Sequence, residues 1–241
     1  ENSHFEEGRG ALPVLLHDFA RDLDELQRDP EFLLQRCGRE TEVHLELPRK
    51  AVAFPGTGRA DCLRDALRSS ACAANARAIA FLVASPNDGA YAAAREIAGD
   101  LTASGTPAHV VLTDARGPNR KADQLARAVE RDSTNAAVIV VADSDVRLDD
   151  FTLRALVEPV ASGRADASWA PPIEVAPRTA ADRASAAVLD ASMHAFGLLA
   201  GLDPRGMVGK LFAIRSDALE DAGGFGALVS TLGEDMELAR R

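Results

Sequence analysis

Residues 138–150 read VIVVADSDVRLDD. Five apolar residues, Val138 to Ala142, run without polar alternation, as in a strand covered on both faces of a sheet. The run ends in Asp143 and Asp145. A buried carboxylate without a partner is costly, so water, a metal ion or a cationic group must meet these two where the strand leaves the core.

Outward from this strand the same pattern recurs. Short apolar runs, AVAF (51–54), AIAFLVAS (78–85) and AHVVLT (108–113), read as further buried strands. Between and after them lie helical stretches. These are CLRDALRSSAC (62–72), AYAAAREIAGDLTAS (90–104) closed by Gly105, KADQLARAVERDS (121–133) with Leu125 and Val129 on one face, and LDDFTLRALVEPV (148–160) with Asp149 or Asp150 as N-cap. Strands alternating with amphipathic helices predict an α/β fold, a mostly parallel sheet with helices on both faces. Such sheets take ligands at the carboxyl ends of their strands. The loops that matter are therefore PGTGRAD (55–61), SPNDG (85–89), DARGPNR (114–120) and ADSDVRL (142–148).

The flanks are less regular. Residues 11–40 read as helical, with Leu15, Phe19, Leu23 and Leu26 at helical spacing and Pro30 as a break. TEVHLEL (41–47) alternates like a strand. Two regions follow: an N-terminal helical segment, 1–41, and an α/β domain, 42–241. Beyond the central strand, ASWAPPIEV (167–175) reads as a sheet strand or a wall segment, and residues 179–202 as a long helix. GKLFAIRSDALEDAGGF (209–225) reads as a strand and a short helix, and LGEDMELARR (232–241) as a last helix with acids in its first turn. The chain opens without Met and stops inside a helical pattern, so a piece of a longer protein is expected, with the domain cut at its C-terminus.

Composition narrows the function. The 241 residues carry a net charge of −10 and a pI near 5.0, and 46% are hydrophobic. That balance supports a sizeable core and argues against nucleic acid as a partner. A nucleotide remains open if a metal ion neutralises it. Three cysteines, Cys37, Cys62 and Cys72, include no CxxC pair, which disfavours a zinc site or a disulfide framework. The polar N-terminus is no signal peptide, and no uninterrupted apolar run reaches the ~20 residues of a membrane-spanning helix.

Asp143 and Asp145 are hard oxygen donors suited to Mg²⁺ or Mn²⁺, ions that complete their shells with water and substrate phosphate. Read alone, the two would serve equally as turn or helix caps. Asp88 in SPNDG stands at a second strand end, as an Asx-turn or a ligand group. Asn119 and Lys121 in GPNRK stand at a third. Lysine suits phosphate as a point charge, and it fits poorly with the dipole at a helix start, which favours function over decoration.

The ordered set PGTGRADCLRDALRS, FLVASPNDGA, GPNRKADQL, VVADSDVRLDDFTL, GKLFAIRSDALEDAGGF and GEDMELARR resembles the processive-type inverting glycosyltransferases of the GT-A fold. Within them it is most similar to the ceramide glucosyltransferase-like branch, which includes hopanoid-biosynthesis enzymes. The resemblance covers about residues 50–241. It implies that Asp88 contacts the uridine of a UDP-sugar donor, with Asn119 and Lys121 near the nucleotide. It implies that Asp143 and Asp145 hold Mg²⁺ or Mn²⁺ on the diphosphate. Asp235 takes the place of the catalytic base, and Gly209 lies behind the donor sugar. It further implies a lipid hydroxyl as acceptor, and a full-length protein that is membrane-associated with its catalytic domain in the cytoplasm. The family's acceptor-side QxxRW-type motif and its membrane helices would lie beyond Arg241. The family also has a longer β-branched first strand than AVAF.

Other residues carry less. His194 lies on an apolar helical stretch and reads as a packed core residue. The helix around it, lacking a Lys/Arg-rich face, reads as packed rather than interfacial. Trp169 lines a pocket or fills the core. PGTG is no phosphate-binding P-loop, since no GK[ST] follows. Two rival functions remain at this point. One is a nucleotidyltransferase on a similar α/β fold, which would release pyrophosphate rather than UDP. The other is a non-catalytic nucleotide-binding domain.

Overall fold

The structure, a computed structural model, describes residues 50–55, 78–131, 136–174, 177, 179–203 and 205–241. The expected helical segment 1–41, the strand 41–47, the helix 62–72 and all of PGTGRAD beyond Pro55 lie outside the described residues.

The elements follow the alternation of the sequence. They are β1 (Lys50–Pro55), β2 (Ala78–Val83), α1 (Gly89–Ala103), β3 (Ala108–Leu112), α2 (Arg120–Arg131), β4 (Val138–Ala142) and α3 (Asp150–Ala161). Then come β5 (Ala167–Trp169), α4 (Ala180–Leu202), β6 (Leu211–Arg215), α5 (Ser216–Asp221), a 3-10 turn (Phe225–Leu228) and α6 (Glu234–Arg240). Asp149 caps α3, accepting from the Thr152 N–H at 2.7 Å, a contact of about 1 kcal/mol.

The sheet order is β3-β2-β1-β4-β6-β5. β3, β2, β1 and β4 run parallel, with Val52 of β1 registered between Ile79 and Val140. β6 alone is reversed, pairing antiparallel with both β4 and β5. From β1 the chain steps outward through β2 to β3, then returns to place β4 on the other side of β1. In open α/β sheets such a reversal of strand order marks where ligands bind, here at the carboxyl ends of β1 and β4.

β4 is buried along its whole length, as an uninterrupted apolar run requires. Its side chains divide between two cores. Val138, Val140 and Ala142 pack with α1 and α3 residues such as Ile97, Leu101, Leu153 and Val157. Ile139 and Val141 pack on the other face with Leu125, Phe212, Phe225 and Leu228. Helices therefore cover both faces, as the sequence implied.

Three expectations change. Val129 is exposed at 40% while Leu125 is buried, because α2 turns only Ala122, Leu125, Ala126 and Ala128 among its apolar residues inward. α4 is not a packed core helix. Of its described residues only Ala186 is buried, and Val188, Leu198 and Leu202 are exposed. Its main aromatic anchor is an edge contact between Phe196 and Trp169, centroids 6.0 Å apart. Its length of 23 residues, with a mean hydropathy of 1.3 over an 18-residue window, also meets, by length and composition, the demand of a membrane-crossing helix. Polar residues interrupt the apolar run that the sequence reading sought, yet leave the average high. The side chain of His194 lies outside the described ones.

Candidate active site

β4 ends at Ala142, and Asp143 is the first residue past it. The Asp143 N–H donates to the Lys210 carbonyl at 2.8 Å. This bond extends the antiparallel pairing of β4 and β6 by one step, so the exit of β4 meets the entrance of β6.

The Asp143 carboxylate is partly buried, with 23% of its side chain accessible. The Lys121 Nζ lies 2.7 Å from its Oδ1. The approach falls outside hydrogen-bond angles, leaving Oδ1 buried with an ionic partner and no aligned donor. Burial pushes the Asp143 carboxyl above the usual carboxylate range, and the Asp145 charge adds to this, while Lys121 and Lys210 pull the other way. Asp145 is more exposed, and its Oδ2 receives the Lys210 ammonium at 2.6 Å. The same ammonium is 3.9 Å from Asp143 Oδ2. The two carboxylates thus converge on one cation.

Lys121 stands in the first turn of α2 but does not face solvent. Its ammonium donates to the Gly209 carbonyl at 2.6 Å and lies 3.7 Å from Glu234 Oε1. Asn119 caps α2 by accepting from the Ala122 N–H through Oδ1. Its Nδ2 donates to the Thr231 carbonyl at 2.8 Å and to Glu234 Oε2 at 2.7 Å. Asn119 and Lys121 therefore bind the acidic segment 231–235 to the end of β4. The loop before α2 is itself fixed by Asp123, which accepts from the Arg116 and Gly117 N–H groups and from Arg127.

Gly233 takes a left-handed conformation, φ 76° and ψ 52°, the turn a glycine makes without strain. It starts α6 and presents Asp235. The Asp235 Oδ2 accepts from the Gly209 N–H at 2.8 Å. A Cβ on Gly209 would stand 2.8 Å from Asp235 Cβ, so only glycine permits this approach. Gly209 thus serves Lys121 through its carbonyl and Asp235 through its N–H.

The sequence-expected residues divide. The structure brings Asp143, Asp145, Lys121, Asn119 and Asp235 into one cluster. Glu234 joins it, with its carboxylate engaged by Asn119 and Lys121. Asp88 stands at the carboxyl end of β2, on the far side of β1, where it caps α1 by accepting from the Ala90 N–H at 2.9 Å. No hydrogen bond or ion pair among the described residues joins it to the cluster. Trp169 sits on the outermost strand, partly buried against the second core. Lys210 was missed. It stands at the head of an apolar strand, and only the antiparallel pairing places it beside Asp145.

The residues fit a divalent ion. Two hard carboxylates converge on one cationic position, and one of them has a buried oxygen without an aligned donor. Among the described residues no group of three or more His, Cys, Asp or Glu side chains forms a cage. The remaining coordination falls to water and substrate oxygens, the habit of Mg²⁺ and Mn²⁺ on phosphates.

A mostly parallel sheet of this order, with acids at its switch point, defines the nucleotide-sugar transferase type of α/β fold. The chain belongs to glycosyl transferase family 21, whose pattern matches residues 37–241. Among solved structures, a mannosyltransferase from Pyrobaculum calidifontis, in complex with GDP-Man and Mn²⁺, superposes with a TM-score of 0.50 at 18% identity. The match covers 94% of this chain and 60% of that one, so the chain spans about three-fifths of the length of that relative. Glucosyl-3-phosphoglycerate synthase from Mycobacterium tuberculosis, in complex with UDP, matches at 17% identity and a TM-score of 0.42. That match covers 76% of this chain and 63% of the other. No curated protein sequence matches significantly.

Proposed function

We propose that this domain moves a hexosyl group from a UDP-sugar to a lipid hydroxyl, with inversion at the anomeric carbon and with Mg²⁺ or Mn²⁺ bound. The observation that carries the reading is the convergence of Asp143 and Asp145 on one cation beside an independently presented Asp235.

Sugar transfer leaves negative charge on the departing diphosphate and positive charge at the anomeric carbon. Asp143 and Asp145 would hold the ion, which when bound supplies electrostatic stabilisation of that leaving group. Lys121 fixes Asp143 at the edge of the diphosphate position. Asp235, on a separate element, takes the acceptor hydroxyl's proton through Oδ1 or Oδ2, a contribution of about 10²–10⁴-fold. A single base and a single displacement give inversion. Asp88, at the end of β2, is assigned to the uridine. The exposed apolar residues Val188, Leu198 and Leu202 of α4 support a lipid acceptor and membrane association of the whole protein; a cytoplasmic catalytic domain is part of the same proposal.

The test is calorimetric titration of UDP, with GDP beside it, into the wild type and Asp145→Ala, with and without Mn²⁺. UDP binding that requires Mn²⁺ and disappears in the variant is expected. Equal binding with and without the ion would end the metal assignment, and GDP binding in place of UDP would end the choice of uridine.

A further inference from the structure

Lys210 has no role in the transfer just described, yet its ammonium occupies the position where the fields of Asp143 and Asp145 add. A divalent ion needs that same position. Two cations cannot share it, because like charges a few ångströms apart repel strongly at the edge of a protein core.

The two lysines of the site differ in how firmly they are held. Lys121 is enclosed, with 22% of its side chain accessible, and is tied to the Gly209 carbonyl and Glu234 as well as to Asp143. Lys210 has 41% of its side chain accessible, and among the described residues its ammonium contacts only the two carboxylates. Its flexible stem and rotatable donors allow it to leave. One lysine is a fixture and the other is exchangeable.

We propose that Lys210 is the resident counter-ion of the Asp143–Asp145 pair, displaced by the divalent ion and taken up by the donor's diphosphate. The proposal rests on the metal and nucleotide reading of this site. Its consequence is positive coupling. The ion alone must break the lysine–carboxylate pair. With a nucleoside diphosphate present, the freed ammonium gains a new anion, so each ligand favours the other by the same factor. Metal would then enter this site mainly together with donor.

The experiment titrates Mn²⁺ by calorimetry into wild type, Lys210→Met and Lys210→Arg, each without and with UDP. Lys210→Met keeps the apolar stem at a half-exposed position, and Lys210→Gln serves as a second neutral variant. The neutral variants are expected to bind Mn²⁺ alone about tenfold more tightly than wild type, ~1.4 kcal/mol. The gain in Mn²⁺ affinity produced by UDP shrinks by a similar factor, and Lys210→Arg retains the wild-type pattern. Equal Mn²⁺ affinity of neutral variants and wild type without nucleotide, including no binding by any of them, overturns the proposal. Failure of wild type to bind UDP with Mn²⁺ removes the nucleotide reading instead, a separate result from the metal-only comparison.

Discussion

The Gly209 N–H donates to Asp235 Oδ2 at 2.8 Å, and no side chain fits between them. A carboxylate on a short helix is thereby referenced to the backbone just ahead of β6. Gly209→Ala would place a Cβ 2.8 Å from Asp235 Cβ and 3.0 Å from Oδ2, which forces α6 outward. We expect a stability loss of about 1–3 kcal/mol and a fall in turnover of about 10²-fold from misplacement of the carboxylate. Thermal unfolding and transfer rates measured on the same preparation test both. Wild-type turnover would show that Asp235 does not need this support.

Asp235→Asn keeps the shape of the side chain and can still accept the Gly209 bond through its amide oxygen. It removes the proton acceptor. Transfer is expected to fall by about 10²–10⁴-fold, with UDP affinity unchanged. A transfer rate within twofold of wild type would take Asp235 out of the base role.

Lys121→Met withdraws the ammonium shared by Asp143, Glu234 and the Gly209 carbonyl. It leaves the enclosed Glu234 without this cation, and Asp143 with the more distant Lys210 ammonium, 3.9 Å away. The cost is about 1–3 kcal/mol, below that of breaking a fully buried pair, because the site keeps some solvent. UDP with Mn²⁺ should also bind more weakly, since Asp143 is freed to turn. Denaturant unfolding and calorimetry check the two effects. Unchanged stability would mean that water replaces the ammonium at no cost.

Asp123 gives a pH signature. The Arg127 guanidinium holds its carboxyl below the usual carboxylate range, helped by the Gly117 and Arg116 N–H groups. A depressed native pKa contributes stability above the unfolded value of about 4, and that stability is lost as pH falls through the lower native value. Asp123→Asn should cost about 1–3 kcal/mol at neutral pH, and the gap to wild type should narrow below about pH 4. Urea unfolding at neutral and acid pH measures it. A gap of constant size would mean that the charge of Asp123 is not what holds the 114–117 loop.

Much of this architecture can be read in the residues. The five apolar residues of β4 announce a strand covered on both faces, because only double burial tolerates such a run. Asp143 and Asp145 were legible because acids at the end of such a strand need a cationic partner. Asn119 was found through its neighbourhood, but its clamp on Thr231 and Glu234 joins residues more than a hundred positions apart, which no local pattern encodes. Lys121 was expected near the nucleotide, and its bond to the Gly209 carbonyl spans 88 positions of sequence, a partner no local pattern encodes. Lys210 stayed hidden because its position depends on the direction of β6, and an apolar strand reads the same in both directions. The exposure of α4 escaped for a related reason. Hydropathy records what a helix would bury, not whether another element lies against it.

The reversed β6 carries one more consequence. A parallel strand beside β4 would bring its exit to the reactive edge, and its entrance would lie at the opposite end of the sheet. Because β6 runs the other way, the chain arrives at that edge through the stretch that follows α4, and delivers Gly209 and Lys210 on entry. Insertions or replacements between Trp169 and Gly209 can thus remodel that edge, while the parallel half of the sheet keeps its registration. That edge can change by exchanging this one stretch, leaving the strand that leads into Asp143 as it is.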